Sequence, residues 1–559
     1  MKLATQKRAS TLFLVGLFAT SLLITPLSAD PVNIPKFVSL VIFSSLCFAI
    51  CLTDIKIRGL SQIGSMGAAS IIFMIAAILV STFSDSDVVS QLYGSTGRNI
   101  GLFTLISLAI FMIVGILLAS ENLLGNLIST MVAVTLLSAI YGAIQHWNID
   151  PLVWESDYGK IFGFLGNPNF QSAMLGLGAI AGAGLLLTGS QSVKWKLLTV
   201  CFLVLILISI LNTKSYQGYL VFLIGMVFIL YASLFKSAPR KVHALFLALL
   251  LFGPFTAYLI LVKNFPTNSI VTIGSLNQRA TYWEVGIRVW QQNPIFGTGL
   301  DTFGESFRRY RNLKNFETVS GTITNSSHNF YIDILANGGL ILFLPIVFIT
   351  ASAIVAIWKI LSNFTVISSS AKIVMGVWIG LFTQALISPN QIGLLVWFWG
   401  CTGVIIGFER SNVRNLKIDG EGKVLNLAKK KSKGLNQLDP SQLMSSFASI
   451  VISLAVALPP YVASIRYLDA LKSGQVERIY AAALISPMDI SRNVAIIDAF
   501  SNNQFPSQAH SLALITVERY PNSYVAWNQL FGLVDVLPEE KKQAVLNMRR
   551  LDPFNPSIG

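Results

Sequence analysis

The sequence predicts an all-α protein, a polytopic transmembrane helical bundle of about 12–13 spans, with a large outer loop and a small helical C-terminal region. Three observations predict it. Hydrophobic residues make up 53 % of the 559 residues and charged residues only 12 %, where a soluble domain carries roughly 25 % charged residues. Mean hydropathy is +0.65. Apolar runs of span length recur along the chain as far as residue 465, with short polar stretches between most of them. A bilayer must solvate most of such a chain.

A span takes about 20 mostly apolar residues. Windows of that kind cover 11–28, 37–53, 66–83, 100–119, 127–146, 170–189, 196–212, 217–235, 243–262, 329–357, 371–388, 392–408 and 443–465. Lys2, Lys7 and Arg8 precede the first run, as in a signal peptide. The run is long for that, and Leu27 stands where a small residue is wanted before a cut after Ala29, so a retained span is expected.

The net charge is +14. The basic residues gather between apolar runs, at Lys56 and Arg58, Lys194 and Lys196, Lys236 to Lys241, and in 409–442 with Lys429, Lys430, Lys431 and Lys433. Cytoplasmic loops carry such an excess, so the charge needs no nucleic-acid partner. With the N-terminus inside, 84–99, 147–169, 213–216, 263–328 and the tail after 465 lie outside. The expected organisation is a transmembrane domain over 1–408, an extracytoplasmic loop at 263–328, a basic cytoplasmic linker at 409–442, a last span at 443–465 and an extracytoplasmic helical tail at 466–559. Cys47, Cys51, Cys201 and Cys401 all lie in apolar runs without metal-ligand spacing and read as small apolar fillers.

Two outer regions are too long to be connectors. Within 263–328, Gln278 to Gln292 reads as a helix, followed by turn chemistry in Asn293-Pro294-Ile295-Phe296-Gly297-Thr298-Gly299. In the tail, Pro487, Pro521 and Pro553 stand 34 and 32 residues apart. That period resembles tetratricopeptide helix pairs; an ordinary helical tail fits equally well.

Polar residues near spans are functional candidates, because an ionisable group there is costly unless paired or wetted. His328, in Asn325-Ser326-Ser327-His328-Asn329, stands where the long loop enters a span. An imidazole there can take a proton from a hydroxyl; the bland reading is an interfacial histidine. Arg98 and Arg279 are outer-face cations against the positive-inside trend, and guanidinium groups hold phosphate oxygens bidentately. Arg308, Arg309 and Arg311 read as a solvated loop face. Asn167 and Asn169 can bond sugar hydroxyls or cap the helix that follows. Lys214 is a further outer-end cation, or a snorkelling lysine. No phosphate-binding glycine loop or metal-type His/Cys cluster is present, so neither a cofactor nor a metal is expected.

Four stretches resemble the O-antigen ligase / Wzy polymerase superfamily of membrane glycosyltransferases. They are Gly94-Ser95-Thr96-Gly97-Arg98, Gly166-Asn167-Pro168-Asn169-Phe170, Arg279-x-x-x-Trp283 with Asn293-Pro294-x-Phe296-Gly297-x-Gly299, and Ser327-His328-Asn329-x-Tyr331 with Gly338-Gly339. The resemblance covers about 90–408. It departs in Thr213-Lys214-Ser215-Tyr216-Gln217-Gly218, where Tyr216 takes the place of the family's arginine.

The resemblance implies metal-independent, inverting transfer of a glycan from a polyprenyl (undecaprenyl) diphosphate carrier to an acceptor hydroxyl, at the outer face of a bacterial cytoplasmic membrane. His328 is then the base and Arg279 stabilises the departing diphosphate. Arg98, Lys214, Asn329, Asn167 and Asn169 bind substrate. The acceptor is a lipid, a glycan or a protein. A transporter or flippase is the alternative; its polar residues tend to sit at mid-bilayer. A non-catalytic scaffold docking partners through the tail is a third reading.

Overall fold

The computed structural model describes residues 3–58, 63–152, 161–188, 191–245, 248, 274–319, 321–364, 366–420 and 440–558. Most of the expected window 243–262, the loop stretch 263–273 and the linker stretch 421–439 lie outside the described residues. Every regular element among the described residues is a helix.

The apolar windows become α1 (Leu3–Leu22), α2 (Asn33–Arg58), α3 (Gly64–Phe83), then, after a short α4 (Val88–Tyr93), α5 (Leu102–Leu118), α6 (Glu121–His146), α7 (Pro168–Thr188), α8 (Val193–Thr213) and α9 (Gln217–Leu234). The long loop holds α10 (Gly274–Gln292), α11 (Phe303–Tyr310) and α12 (Leu313–Thr318). Four more long helices follow: α13 (Phe330–Asn363), α14 (Ser369–Ile387), α15 (Ile392–Gly420) and α16 (Pro440–Ser473). Ten of the described helices are long and apolar enough to cross a membrane, and α5 is apolar but shorter. The chain is a polytopic helical membrane protein.

Two element ends differ from the hydropathy windows. α1 stops at Leu22 rather than 28, because Pro26 disfavours helix in the residue before it. α16 continues past 465 to Ser473, through Pro459 and Pro460. Arg466, Asp469 and Lys472 end the apolar window but not the helix.

α15 is the central helix: residues 392–409 of its apolar stretch are all buried. It packs closely on α5, where a Cβ on Gly403 would stand 2.1 Å from the Met112 carbonyl oxygen. Small residues permit that approach between membrane helices. Two indole N–H groups in this core are satisfied internally: Trp378 donates to Thr402 Oγ1 at 2.7 Å and Trp397 to Ser21 Oγ at 2.8 Å. α8 and α9 form the rim, with Leu197, Val204, Leu211, Leu223 and Leu230 exposed, as lipid-facing positions must be.

α13 is broken at Gly339, whose φ of +57° and ψ of −163° are not helical. The Asn293–Gly299 turn fills the break. Thr298 N and Gly299 N donate to the carbonyls of Ala336 and Asn337 at 3.1 and 2.9 Å. In return Leu340 N and Ile341 N donate to the carbonyls of Pro294 and Ile295 at 2.9 and 3.2 Å. Backbone groups freed at a helix break must find partners within the protein, and this turn supplies all four. A Cβ on Gly339 would stand 2.2 Å from Ile295 O, which requires glycine.

Among its described residues, from 274 on, the long loop is a folded unit on this end of the bundle. α10, α11 and α12 share a small core of Tyr282, Val285, Val289, Phe303, Phe307 and Val319 against Ala336 of α13. The tail comprises α17 (Val476–Ala483), α18 (Ile490–Asn502), α19 (Pro506–Arg519), α20 (Tyr524–Gly532) and α21 (Pro538–Leu551). α18 pairs with α19 and α20 with α21 around a core containing Ile497, Leu512, Trp527 and Met548. The pairs sit on the same end as the α10–α12 unit. The basic ends of α8, α9 and α15 lie at the other end, where Lys359 reaches Glu409 at 3.8 Å.

Candidate active site

Residues 324–329 form a tight strap before α13, and a carboxylate one turn inside the helix ties it down. Asp333, fully buried, accepts from Ser326 Oγ and from Ser327 N, each at 2.6 Å. A carboxylate in a first helical turn is favoured by the helix dipole. Asn329 caps α13, its Oδ1 accepting from Tyr331 N and Ile332 N at 3.0 and 3.2 Å, and its Nδ2 donates to the Leu386 carbonyl at 2.9 Å. Between these anchors His328 adopts φ +58°, a left-handed conformation that aims the ring out of the strap.

The imidazole stands 3.1 Å through Nδ1 from the Ser326 carbonyl oxygen. A carbonyl can only accept, so the proton of the neutral ring sits on Nδ1, and Nε2 presents a lone pair. The Tyr282 ring lies against it at 5.1 Å. Burial pushes the imidazole pKa down to about 4; the charges of Arg279 and Arg98 push the same way, and the Ser326 hydrogen bond opposes them. The ring is therefore neutral at pH 7.

Arg98 is buried and pairs with Asp301 at 3.0 Å and Asp333 at 3.7 Å. Its Nη1 also donates to the Asn325 carbonyl. Asp301 in turn accepts from Ser95 N and Ser95 Oγ at 2.8 and 2.9 Å, closing the 94–101 loop on itself. The Asn293–Gly299 turn delivers Asp301 to that point.

Arg279 has a different setting. Its Nη2 donates to Gln217 Oε1 at 2.9 Å, with the Gln217 amide turned so that its nitrogen faces Gln384 and the Asn169 carbonyl. Among the described residues no carboxylate pairs with it. Burial lowers its pKa, which measures how poorly that charge is compensated.

The remaining expected site residues border the Arg279 side. Ser215 Oγ donates to Asn169 Oδ1 at 2.8 Å, and Asn169 N donates to Asn167 Oδ1 at 2.8 Å. These amides brace the start of α7 against the 213–218 turn. Lys214 caps α8 in a left-handed conformation with φ +54°, its side chain exposed. The fold therefore brings His328, Asn329, Arg98 and Arg279 together, and sets Lys214 and the two asparagines beside them.

The sequence reading passed over Asp333, Gln217, Gln384, Asp301 and Tyr282. The first three are polar residues inside apolar windows, the signal that could have found them. Beside Leu386, Ser388 Oγ and Gln391 Nε2 are buried polar atoms with no partner among the described residues. The reading of Arg308 to Arg311 as one solvated face is corrected. Arg311 is 1 % exposed and pairs with Asp552 of the tail at 2.6 Å, while Arg309 is exposed as expected. A partner so distant in sequence left no local trace.

No curated protein matches the chain. A family model does: Wzy_C, O-antigen ligase, over residues 201–347. The match runs from α8 to the first half of α13, and so contains Lys214, Arg279, His328, Asn329 and the broken helix. Arg98, Asn167, Asn169 and the tail lie outside it. Over residues 201–347 the chain therefore carries an O-antigen ligase domain, which supports a relation to the O-antigen ligase / Wzy polymerase superfamily.

Proposed function

We propose that this membrane protein transfers a glycan from a polyprenyl diphosphate carrier to an acceptor hydroxyl, at the outer face of a bacterial cytoplasmic membrane. One observation carries the reading: a neutral imidazole with a free Nε2 lone pair, beside a half-buried guanidinium that no carboxylate neutralises among the described residues. The basic loops gather at the opposite end of the bundle, which supports an outward-facing site and an extracytoplasmic tail.

In this mechanism the acceptor hydroxyl gives its proton to His328 Nε2 as its oxygen bonds to the anomeric carbon of the sugar. The bond from that carbon to the diphosphate oxygen breaks on the opposite face, and the diphosphate leaves with the electron pair. One displacement inverts the anomeric centre, and the imidazolium then returns its proton to water. Arg279 faces charge that grows on the leaving oxygens, where a fixed cation in a dry site acts most strongly. No metal is needed for that charge. Lys214 adds a weaker, exposed cation. The neutral Ser388 Oγ and Gln391 Nε2, without a partner among the described residues, suit sugar hydroxyls better than phosphate.

A free-state pKa of about 4 makes His328 a weak base. The arriving diphosphate corrects this, because its negative charge offsets Arg279 and raises the affinity of Nε2 for a proton. The base is thus strengthened when the donor is bound.

The test is His328→Ala in membranes supplied with an undecaprenyl-diphosphate-linked glycan. The variant protein should insert and accumulate normally yet lose transfer. Transfer at the unmodified rate would remove the mechanism, and lipid flipping without transfer by the unmodified protein would favour a flippase.

A further inference from the structure

We propose that the C-terminal tail is a structural part of the catalytic pocket, with Asp552 and Asp489 as positioning residues that hold the two sides of the His328 site in register. The inference rests on the function proposed above, because the groups positioned are those of that site.

The tail grips one side through α11. Arg311 donates to Asp552 from Nε at 3.1 Å and Nη2 at 2.6 Å, and the two side chains are 1 % and 0 % exposed. Arg308 lies over the Tyr524 ring at 4.6 Å and within 3.9 Å of Asp552. Glu305 accepts from Ser523 Oγ at 2.7 Å and from Tyr524 N at 3.2 Å. α11 begins just after Asp301, the partner of Arg98. Its Phe307 ring also packs on Tyr282 at 5.6 Å, and Tyr282 packs on His328. The adjoining α12 region is tied to α10, since Arg288 donates to Tyr310 O and Asn315 Oδ1, each at 3.0 Å. α10 is the helix that carries Arg279.

The tail grips the other side through the 84–99 loop. Arg519 pairs with Asp87 at 2.8 Å, Asn522 Nδ2 donates to the Asp85 carbonyl at 3.3 Å, and the Thr96 hydroxyl donates to Asp489. Thr96 is close in sequence to Arg98, which holds the strap at Asn325 and Asp333. Two routes therefore run from the tail to one imidazole, through Arg98 and through Tyr282 with α10.

The form of the contact argues for positioning over simple docking. A buried ion pair is a poor source of stability, since desolvation cancels much of its attraction, but it fixes a register. The bundle and the tail have separate apolar cores, so neither depends on the clamp for its own packing. What the clamp joins are two loop regions whose relative placement sets the geometry of the reacting groups. Small misplacements of that kind cost about 10²-fold in rate.

The experiment uses the full chain in lipid nanodiscs, comparing it with Asp552→Asn, Asp489→Ala, and an Arg311→Asp/Asp552→Arg exchange. Hydrogen exchange is read at 94–99 and 324–329, and transfer is read with an undecaprenyl-diphosphate-linked glycan. Asp552→Asn should speed exchange in both segments and lower kcat by about 10- to 100-fold. KM for the carrier and exchange in the membrane helices should stay near those of the unmodified chain. The charge exchange should restore part of both losses, and Asp489→Ala should loosen 94–99 first. If limited proteolysis shows the tail released while exchange at 324–329 and kcat are unchanged, the proposal is overturned. Should Asp552→Asn unfold the loop unit, Asp489→Ala decides alone: unchanged exchange at 94–99 and 324–329 overturns the proposal. The exchange arm needs no glycan, so an unmodified chain that transfers nothing would refute the proposed function and still leave the positioning claim to be judged.

Discussion

Arg98 and Arg279 reach the same imidazole from different elements, and both lower its proton affinity. Arg98 is locked between Asp301 and Asp333, at 3.0 and 3.7 Å, with a backbone carbonyl on its remaining arm. Arg279 holds one amide oxygen at 2.9 Å and meets no carboxylate among the described residues. Burial costs a guanidinium several kcal/mol unless that cost is recovered in the folded state or on binding. Arg98 recovers it in the folded state, by tying a loop to the strap. Under the proposed function Arg279 recovers it from the diphosphate. The two cations look alike in sequence, and under that reading their partners assign one a structural role and the other a binding role.

The largest effect should come from Arg279. Arg279→Ala should cut transfer by about 10²–10³-fold, the usual cost of losing one preorganised group facing transition-state charge. Thermal stability should hardly change, because no buried carboxylate is stranded. Arg279→Lys should recover only part of the rate, since an ammonium lacks the planar fork. Equal activity in the alanine and unmodified proteins would erase the distinction between the two arginines.

Arg98→Met should show the reverse pattern. It strands Asp301 and Asp333 in a buried site, and breaking a buried pair from one side costs about 3–5 kcal/mol. The measurable outcome is a lower unfolding midpoint and reduced accumulation in the membrane. A second change, Asp301→Asn, should return part of that stability by removing one stranded charge. Loss of transfer with full stability in Arg98→Met would instead make Arg98 a ligand of the carrier.

The pH dependence of kcat/KM separates the same pair on a finer scale. In the proposed mechanism His328 acts as a base, so its neutral form is required, and activity is lost as pH falls through the imidazole pKa. That pKa is lowered from 6.5 to about 4 in the free protein, so the acid limb should lie near pH 4. Removing either positive charge must move the limb upward. Arg279 is the larger charge effect and Arg98 the smaller, so Arg279→Gln should shift the limb further than Arg98→Met. The opposite order, in a pH–rate profile of both variants, would show that Arg98 dominates the field at Nε2.

How much of this was legible in the sequence follows from the range of each interaction. Apolar windows located the helices, because burial in lipid is read from composition over about 20 residues. The turn Asn293–Gly299 and the pair Gly338-Gly339 were each visible as glycine-rich motifs. Their reciprocal hydrogen bonds were not, since nothing local says that one turn fills the break in another helix. Asp333, Gln217 and Gln384 were hidden by averaging: one polar residue scarcely lowers the hydropathy of a window, though it decides where a strap or a guanidinium is held. The most misleading stretch was Arg308 to Arg311, where a charge run looked solvated because the carboxylate of Asp552 that buries it lies 241 residues from Arg311. In sequence, Tyr216 is the departure from the family pattern. The structure leaves Tyr216 77 % exposed and gives the neighbouring Gln217 the contact with Arg279.

That neighbourhood supplies the smallest effect and a third kind of cation to set beside the two arginines. Lys214 is exposed, and its backbone ends α8 in a left-handed conformation. Glycine adopts that conformation at no steric cost, so Lys214→Gly removes the charge while leaving the cap sound. A solvated ammonium near an anion contributes about 0.2–1 kcal/mol. The variant should therefore raise KM for the carrier by about 1.5- to 5-fold and leave kcat unchanged. The difference from the unmodified protein should vanish at high salt, where exposed charges are screened. Arg279 is half-buried and less open to salt than Lys214, so more of the loss in its alanine variant should persist at the same salt concentration. A salt-insensitive loss of kcat in Lys214→Gly would move the lysine into the dry part of the site, and the diphosphate would then lie on the α8 side of Gln217, away from α10.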